Sequence, residues 1–378
     1  MGAPGTATVP RRGIAGGDSL DFVLLGAAVA LVVFGLLAVT SAGSAVGARD
    51  FGDPWYYGKR QAVFAALGLG AMAVFARTDY RAFRRYVPAL TGIALLGLVL
   101  VLVPGIGDVR GGARSWIGFG AFSVQPAEFA KFALIWTYAH LLDRHPDLVR
   151  NGSKAALAFG FLALVFALIL LEPDLGTGTV LAASVLILFY VAGLSHRVLA
   201  VLAALGAALF GLLILAEPYR IRRITAFLDP WQDPLGAGYQ TIQSLMAVGP
   251  GGVFGVGFGM SRQKFLYLPE PYNDFIFAIV AEELGFLGAM ALLALFFVYL
   301  WRGVRAALRA PDAFGFYLAT GFTSLVFVQV FINVGVVLGL LPVTGITLPF
   351  LSAGGSSLGI TLAGTGVLLS VSRAARAS

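Results

Sequence analysis

Ten apolar runs separated by short polar breaks dominate the chain, at 22–41, 60–76, 87–103, 124–142, 155–171, 178–194, 198–216, 275–300, 314–338 and 356–372. An α-helix needs about 20 apolar residues to cross a hydrocarbon layer roughly 30 Å thick. The pattern therefore predicts an all-α, polytopic integral membrane protein of about ten transmembrane helices. No fixed-period repeat or heptad seam interrupts it. The expected organisation is one membrane domain over 21–372, flanked by a Gly-, Ala- and Pro-rich N-terminal tail (1–20), expected to be disordered, and a short C-terminal tail (373–378). The first run is followed by small residues, Ser41 to Ala45, as a signal peptide would be. Its length exceeds a usual signal core, which favours a retained first helix.

One connection breaks the rhythm. Residues 217–274 lie between the seventh and eighth runs and contain Pro218, Pro230, Pro234, Pro250, Pro269 and Pro271. Connections longer than about 15 residues are usually functional or disordered. This one carries an amphipathic helical pattern over 239–248, expected to lie at the membrane interface, so it reads as a lid or a site.

Composition agrees with the pattern: 58% of the 378 residues are apolar and 12% charged, against about 25% charged in soluble domains. The absence of cysteine excludes disulfides, thiolate metal sites and a cysteine nucleophile. His140, His145 and His196 show no zinc-ligand spacing, which argues against a histidine-built metal site. The net charge of +7 is scattered over short connections and forms no stripe for nucleic acid. With the N-terminus cytoplasmic, fifteen basic residues fall inside and five in the short outer connections. The long connection holds five more, but long segments cross largely regardless of charge, so the bias favours both termini inside.

Several residues carry candidate chemistry. The glycine-rich 251–259 lacks the lysine and βαβ context of a phosphate loop, and its glycines suit tight turns and close approach of helices or substrate. Asp274 opens the eighth run on the outer side. Position alone favours a helix N-cap; a general base in a water-accessible cleft is the functional alternative. Glu128 and Lys131, three apart, fit an intrahelical ion pair or a cavity lining, since charges within a membrane span are costly. Steps of four put Glu282 on the face of Asp274, making it a cavity candidate. The segments 111–116, 172–177 and 341–357, each alone a Gly/Pro turn with a helix cap, fall on that same outer side.

These motifs, YLPEPYNDFIFAIVAEELGFLG, WIGFGAFSVQPAEFAK, EPDLGT and LPVTGITLPFLSAGGSSL, together resemble the SEDS family (RodA, FtsW, SpoVE) over about residues 20–372. The Ser261–Lys264 run and the Gly354–Ser357 ending are more similar to the FtsW and SpoVE branch than to RodA. Asn273, Thr347 and Ala353 depart from the family's usual threonine, proline and tyrosine. The resemblance implies polymerisation of lipid II into glycan strands at the outer face of the bacterial cytoplasmic membrane. It also implies a single-span class B penicillin-binding transpeptidase as partner, among other division or cell-wall proteins. Carried over by motif, the family's essential outer-face aspartate matches Asp274, and its span-four acid and lysine match Glu128 and Lys131. Asp274 would take the proton of the acceptor hydroxyl. Lys131, Arg114, Arg262 or Lys264 would compensate the departing diphosphate, with Glu282 and Ser356 lining the cavity. No cofactor is implied, although Asp274 or Asp174 leaves a divalent cation open. Two other classes compete: a lipid II flippase, which inverted repeats would support and none is seen, and a non-catalytic division scaffold.

Overall fold

The structure, a computed structural model, describes residues 20–110, 113–119, 122–215 and 218–377. In chain order come α1 (Phe22–Ala42), α2 (Ser44–Phe51), α3 (Tyr56–Arg77), a 3-10 segment (Tyr80–Tyr86) and α4 (Val87–Leu102). Strands β1 (Gly107–Arg110), β2 (Ala113–Phe119) and β3 (Phe122–Val124) precede α5 (Pro126–Arg144), α6 (Gly152–Leu171), α7 (Leu175–Val191) and α8 (His196–Leu215). The remainder is α9 (Pro218–Leu228), α10 (Tyr239–Gly251), α11 (Ile276–Leu308), α12 (Ala313–Val337) and α13 (Gly355–Ala377). All ten apolar runs are helical. Among the described residues, seven helical stretches are long and apolar enough to cross a membrane. The other three runs correspond to α5, which carries charges, the 17-residue α7, and α8.

The helix starts follow local chemistry. Asp21, Asn151, Asp174 and Asp312 each accept a hydrogen bond from a first-turn amide, at Leu24, Ser153, Thr177 and Gly315. A proline in the first turn opens α4 and α5, where no amide partner is needed. One apolar core gathers α1, α3, α11, α12 and α13, with α3 lying along α13 and α11 against α1 and α12. A second core gathers α4 to α7. The first run is a structural helix: Arg302 Nε of α11 donates to Asp21 Oδ2 at 3.0 Å, pinning the start of α1 to α11 in a buried pair.

Four features differ from the sequence expectation. The 107–124 segment, read as a turn leading to a helix, forms an antiparallel sheet of order β1-β2-β3; its strands are too short and glycine-rich to stand out as alternation. The long connection holds two helices, and α10 packs onto α11 and the end of α12, where Ser244 Oγ donates to the Val337 carbonyl at 2.8 Å. The tail expected from 373 continues α13 to Ala377, whereas the tail expected over 1–20 lies outside the described residues apart from Leu20. Finally, α11 is broken at Gly285 (φ 66°, ψ −166°).

That break explains the glycine run. The 252–257 backbone enters it: Phe286 and Leu287 amides donate to the Gly252 and Val253 carbonyls at 2.8 and 3.1 Å. The Val256 and Gly257 amides donate to the Glu282 and Glu283 carbonyls, both at 3.0 Å. Groups freed by the interrupted helix are thus paired within protein, as a low-dielectric setting demands. A Cβ on Gly285 would collide with the Gly255 amide. Gly285→Ala should therefore lower thermal stability in detergent by at least about 1–3 kcal/mol, the usual cost of a strained backbone. Gly92→Ala, on α4 with nothing near its Cβ, should be neutral or slightly stabilising in the same melt.

Candidate active site

Asp274 sits where two connections are stitched together and to α12. Asn333 Nδ2 of α12 donates to the backbone carbonyls of Asp274 (2.8 Å) and Ile346 (2.7 Å). Ser352 Oγ donates to the Asn273 carbonyl at 2.7 Å, and the Ala353 amide to that of Tyr272 at 2.9 Å. The carboxylate does not cap α11, whose cap position is Phe275 and which has no side-chain cap. Oδ1 is enclosed without a hydrogen-bond partner, although the residue keeps some exposure. Oδ2 faces Gly345, where a Cβ would lie 3.5 Å away. Burial pushes the pKa of Asp274 up to about 7, with Glu270 and Asp174 adding to the shift and Arg223 opposing it. Glu270 adopts a left-handed backbone (φ 49°), the kind of local strain that clusters at working sites.

The expected partners of Asp274 divide. Lys264 and Glu282 do not act as substrate-facing groups: both are buried in a cluster that holds the re-entrant loop. Glu282 accepts from Ser261 Oγ (2.5 Å) and the Arg262 amide (2.9 Å). Lys264 Nζ pairs with Glu283 at 3.1 Å and donates to Ser41 Oγ at 3.1 Å. The i,i+4 pattern put Glu282 on the right helix, but loop 259–264 covers it. The Arg262 side chain is exposed, and its backbone is what the cluster uses.

Glu128 and Lys131 form the intrahelical pair at 2.8 Å, both buried. They line a cavity of about 20 Å³ with Tyr299 and Gln329. That is room for about one water, not for a diphosphate. Arg114 Nη1 reaches the Leu102 carbonyl at 3.4 Å, tying β2 to the end of α4. Ser356 accepts from the Gln125 amide at 3.2 Å, and Gln125 Nε2 in turn donates to Asp174 Oδ2 at 3.0 Å. Ser356 therefore belongs to the polar chain that runs toward Asp274. A neighbouring cleft of about 140 Å³, lined by Tyr57, Arg60, Trp116, Tyr272 and Gly354, opens beside it.

Two residues escaped the sequence reading. Arg223 of α9 is the cation whose charge reaches Asp274, and its Nη1 donates to the Val343 carbonyl at 3.3 Å; the sequence showed it only as one of a basic cluster. Glu172 is fully buried with neither carboxylate oxygen hydrogen-bonded, and burial with the nearby charge of Asp174 pushes its pKa up to about 8. Both effects favour its protonated form. Its signal was the first letter of EPDLGT, which a turn-and-cap reading absorbs through Asp174 alone. Among the described residues no group of three or more His, Asp or Glu is arranged to hold a metal ion.

Comparison with known proteins gives a consistent result. Stage V sporulation protein E of Bacillus subtilis is 50% identical over 361 residues, covering 95% of this chain and 98% of that protein. The probable peptidoglycan glycosyltransferase FtsW of Geobacter metallireducens is 44% identical over 357 residues, covering 94% and 95%. Among solved structures, a chain from a peptidoglycan synthase complex that coordinates polymerization and crosslinking superposes with TM-score 0.76 at 35% identity, covering 94% of this chain and 98% of its own. The rod shape determining protein RodA of Thermus thermophilus superposes with TM-score 0.67 at 32% identity, covering 94% and 97%. The profile of the cell cycle protein family FtsW/RodA/SpoVE matches residues 22–377. Sequence, fold and coverage agree that this multi-pass membrane protein belongs to the FtsW/RodA/SpoVE family, on its FtsW- and SpoVE-like side.

Proposed function

We propose that the protein is a peptidoglycan glycosyltransferase that polymerises lipid II, with Asp274 as the general base. The observation that carries the reading is a carboxylate with one enclosed, unpartnered oxygen and a pKa near neutrality, held where two connections meet α12. A base poised near the working pH is the most effective one. The relatives named for glycan synthesis and for a synthase complex support the substrate class.

The acceptor sugar's 4-hydroxyl attacks the anomeric carbon of the donor with inversion. A new C–O bond forms, the bond to the diphosphate breaks, and the hydroxyl proton passes to Asp274. The lipid-linked diphosphate leaves as an anion and needs charge compensation more than a proton. Arg223 is suited to that task, because its charge already acts at Asp274. The bias of basic residues supports an extracytoplasmic site with both termini cytoplasmic. A penicillin-binding transpeptidase would cross-link the product, in keeping with the synthase complex that the fold resembles.

Asp274→Asn should reduce glycan-strand formation from purified lipid II by at least about 100-fold, the usual worth of a positioned base, while leaving the melting temperature unchanged or raised. Full polymerisation by this variant would refute the assignment. The wild-type rate should rise about tenfold per pH unit below about 7 and level off above it, since the ionised form of Asp274 is the active one. In Arg223→Ala the midpoint of that profile should move to higher pH and KM for lipid II should rise; an unchanged profile would remove Arg223 from the site.

A further inference from the structure

The end of the bundle away from Asp274 holds a second concave feature. Helix α5 starts beside Asp174 and Ser356 at Gln125 and Pro126, then runs 19 residues to Arg144, about 28 Å at 1.5 Å per residue. At that far end lies a cleft of about 920 Å³, lined by Arg81, Arg84, Arg85, His140, Asp143 and Arg144 among others. Four arginines face one aspartate. Arg84 pairs with Asp143, and Arg81 Nε donates to Asp312 Oδ2 at 2.6 Å. Arg85 and Arg144 have no carboxylate partner among the described residues, and both side chains are exposed. His140 adds an enclosed Nδ1 with no hydrogen-bond partner.

A helix C-terminus accounts for Arg144, which ends α5. It does not account for Arg81, Arg84 and Arg85, which come from the 3-10 segment before α4 and face the same space. Concentrating like charges in one concavity is unfavourable unless an anion shares it. Apolar side chains stand exposed on the two helices that the 3-10 segment joins, Val74 of α3 at 60% and Ile93 of α4 at 59%, and Tyr86, with its ring against Arg85, is 51% exposed beside the cleft. Aromatic rings at that level mark the headgroup zone of a bilayer.

We propose that this cleft binds a phosphate group, that of an anionic phospholipid in the leaflet opposite the Asp274 site. Arg85 and Arg144 contact the phosphate, Arg84 and Arg81 are held in place by Asp143 and Asp312, and the acyl chains lie along the exposed faces of α3 and α4. Basic pockets between spans are a recurrent solution for anionic headgroups.

The test uses the full chain in neutral detergent, incubated with equimolar phosphatidylglycerol and phosphatidylcholine, and reads retained lipid by native mass spectrometry. Wild type should prefer phosphatidylglycerol. The double variant Arg85→Gln/Arg144→Gln should lose that preference by about 25-fold, from about fivefold per arginine near an anionic surface. A matched pair outside the cleft, Arg150→Gln/Arg309→Gln, should change it little. Equal retention by wild type and the cleft variant, or an equal loss in both double variants, would overturn the site. Displacement of the lipid by millimolar inorganic phosphate at no lipid preference would overturn the lipid source and show a soluble phosphate as occupant. Neither double variant removes a residue of an ion pair among the described residues, so both should stay folded, with only the helix-terminus contribution of Arg144 lost.

Discussion

Two adjacent carboxylates organise the outer half of this protein. Glu282 and Glu283 lie in the first turns of α11, buried, and every charge they carry is met by the loop that folds over them: Ser261, the Arg262 amide, Lys264 and, from α1, Ser41. Leaving either glutamate unmet would cost several kcal/mol in such surroundings. Their neutralisation fixes the path of residues 252–264. That path fills the break at Gly285 and returns the chain to the start of α11, where Asp274 stands. Breaking the helix, seating the loop and placing the aspartate are one arrangement.

Around Asp274 the electrostatics work by under-compensation. Among the described residues the buried Asp21, Glu128 and Glu283 pair with Arg302, Lys131 and Lys264, and Glu282 is hydrogen-bonded by Ser261 and the Arg262 amide. By contrast, Asp274 Oδ1 and both carboxylate oxygens of Glu172 are enclosed without hydrogen-bond partners. The difference marks where the fold holds a proton loosely and where it has neutralised charge for good. Arg223 tempers the site without closing a salt bridge on it.

How much of this was legible in the sequence follows from the range over which each feature is encoded. Apolar length is local, so the ten helical runs could be read along the chain. So could the Asp174 cap, which receives the Thr177 amide as a turn-and-cap reading of EPDLGT requires. The intrahelical spacing of Glu128 and Lys131 likewise led to their pair. The 107–124 sheet was hidden because three short, glycine-interrupted strands leave no stable period. The partner of a charged side chain is set by tertiary path: Lys264 and Arg223 lie in the same long connection and look equally available, yet one is buried against Glu283 and the other acts at Asp274. Glu172 was missed because its raised pKa comes from burial, and burial is not written locally.

The break at Gly285 also bears on how the chain enters the bilayer. Counted as one helix, α11 is 33 residues long and carries Glu282 and Glu283 in its first turns, two acids that are costly to place in lipid. The interruption separates these acids from the uncharged stretch 286–301 that follows. That stretch alone extends about 24 Å, most of a hydrocarbon layer. During biogenesis the insertion machinery can therefore commit the distal part of α11 to the membrane before the two glutamates have met their loop. A costly polar assembly is thereby postponed until the chain that satisfies it has gathered around it.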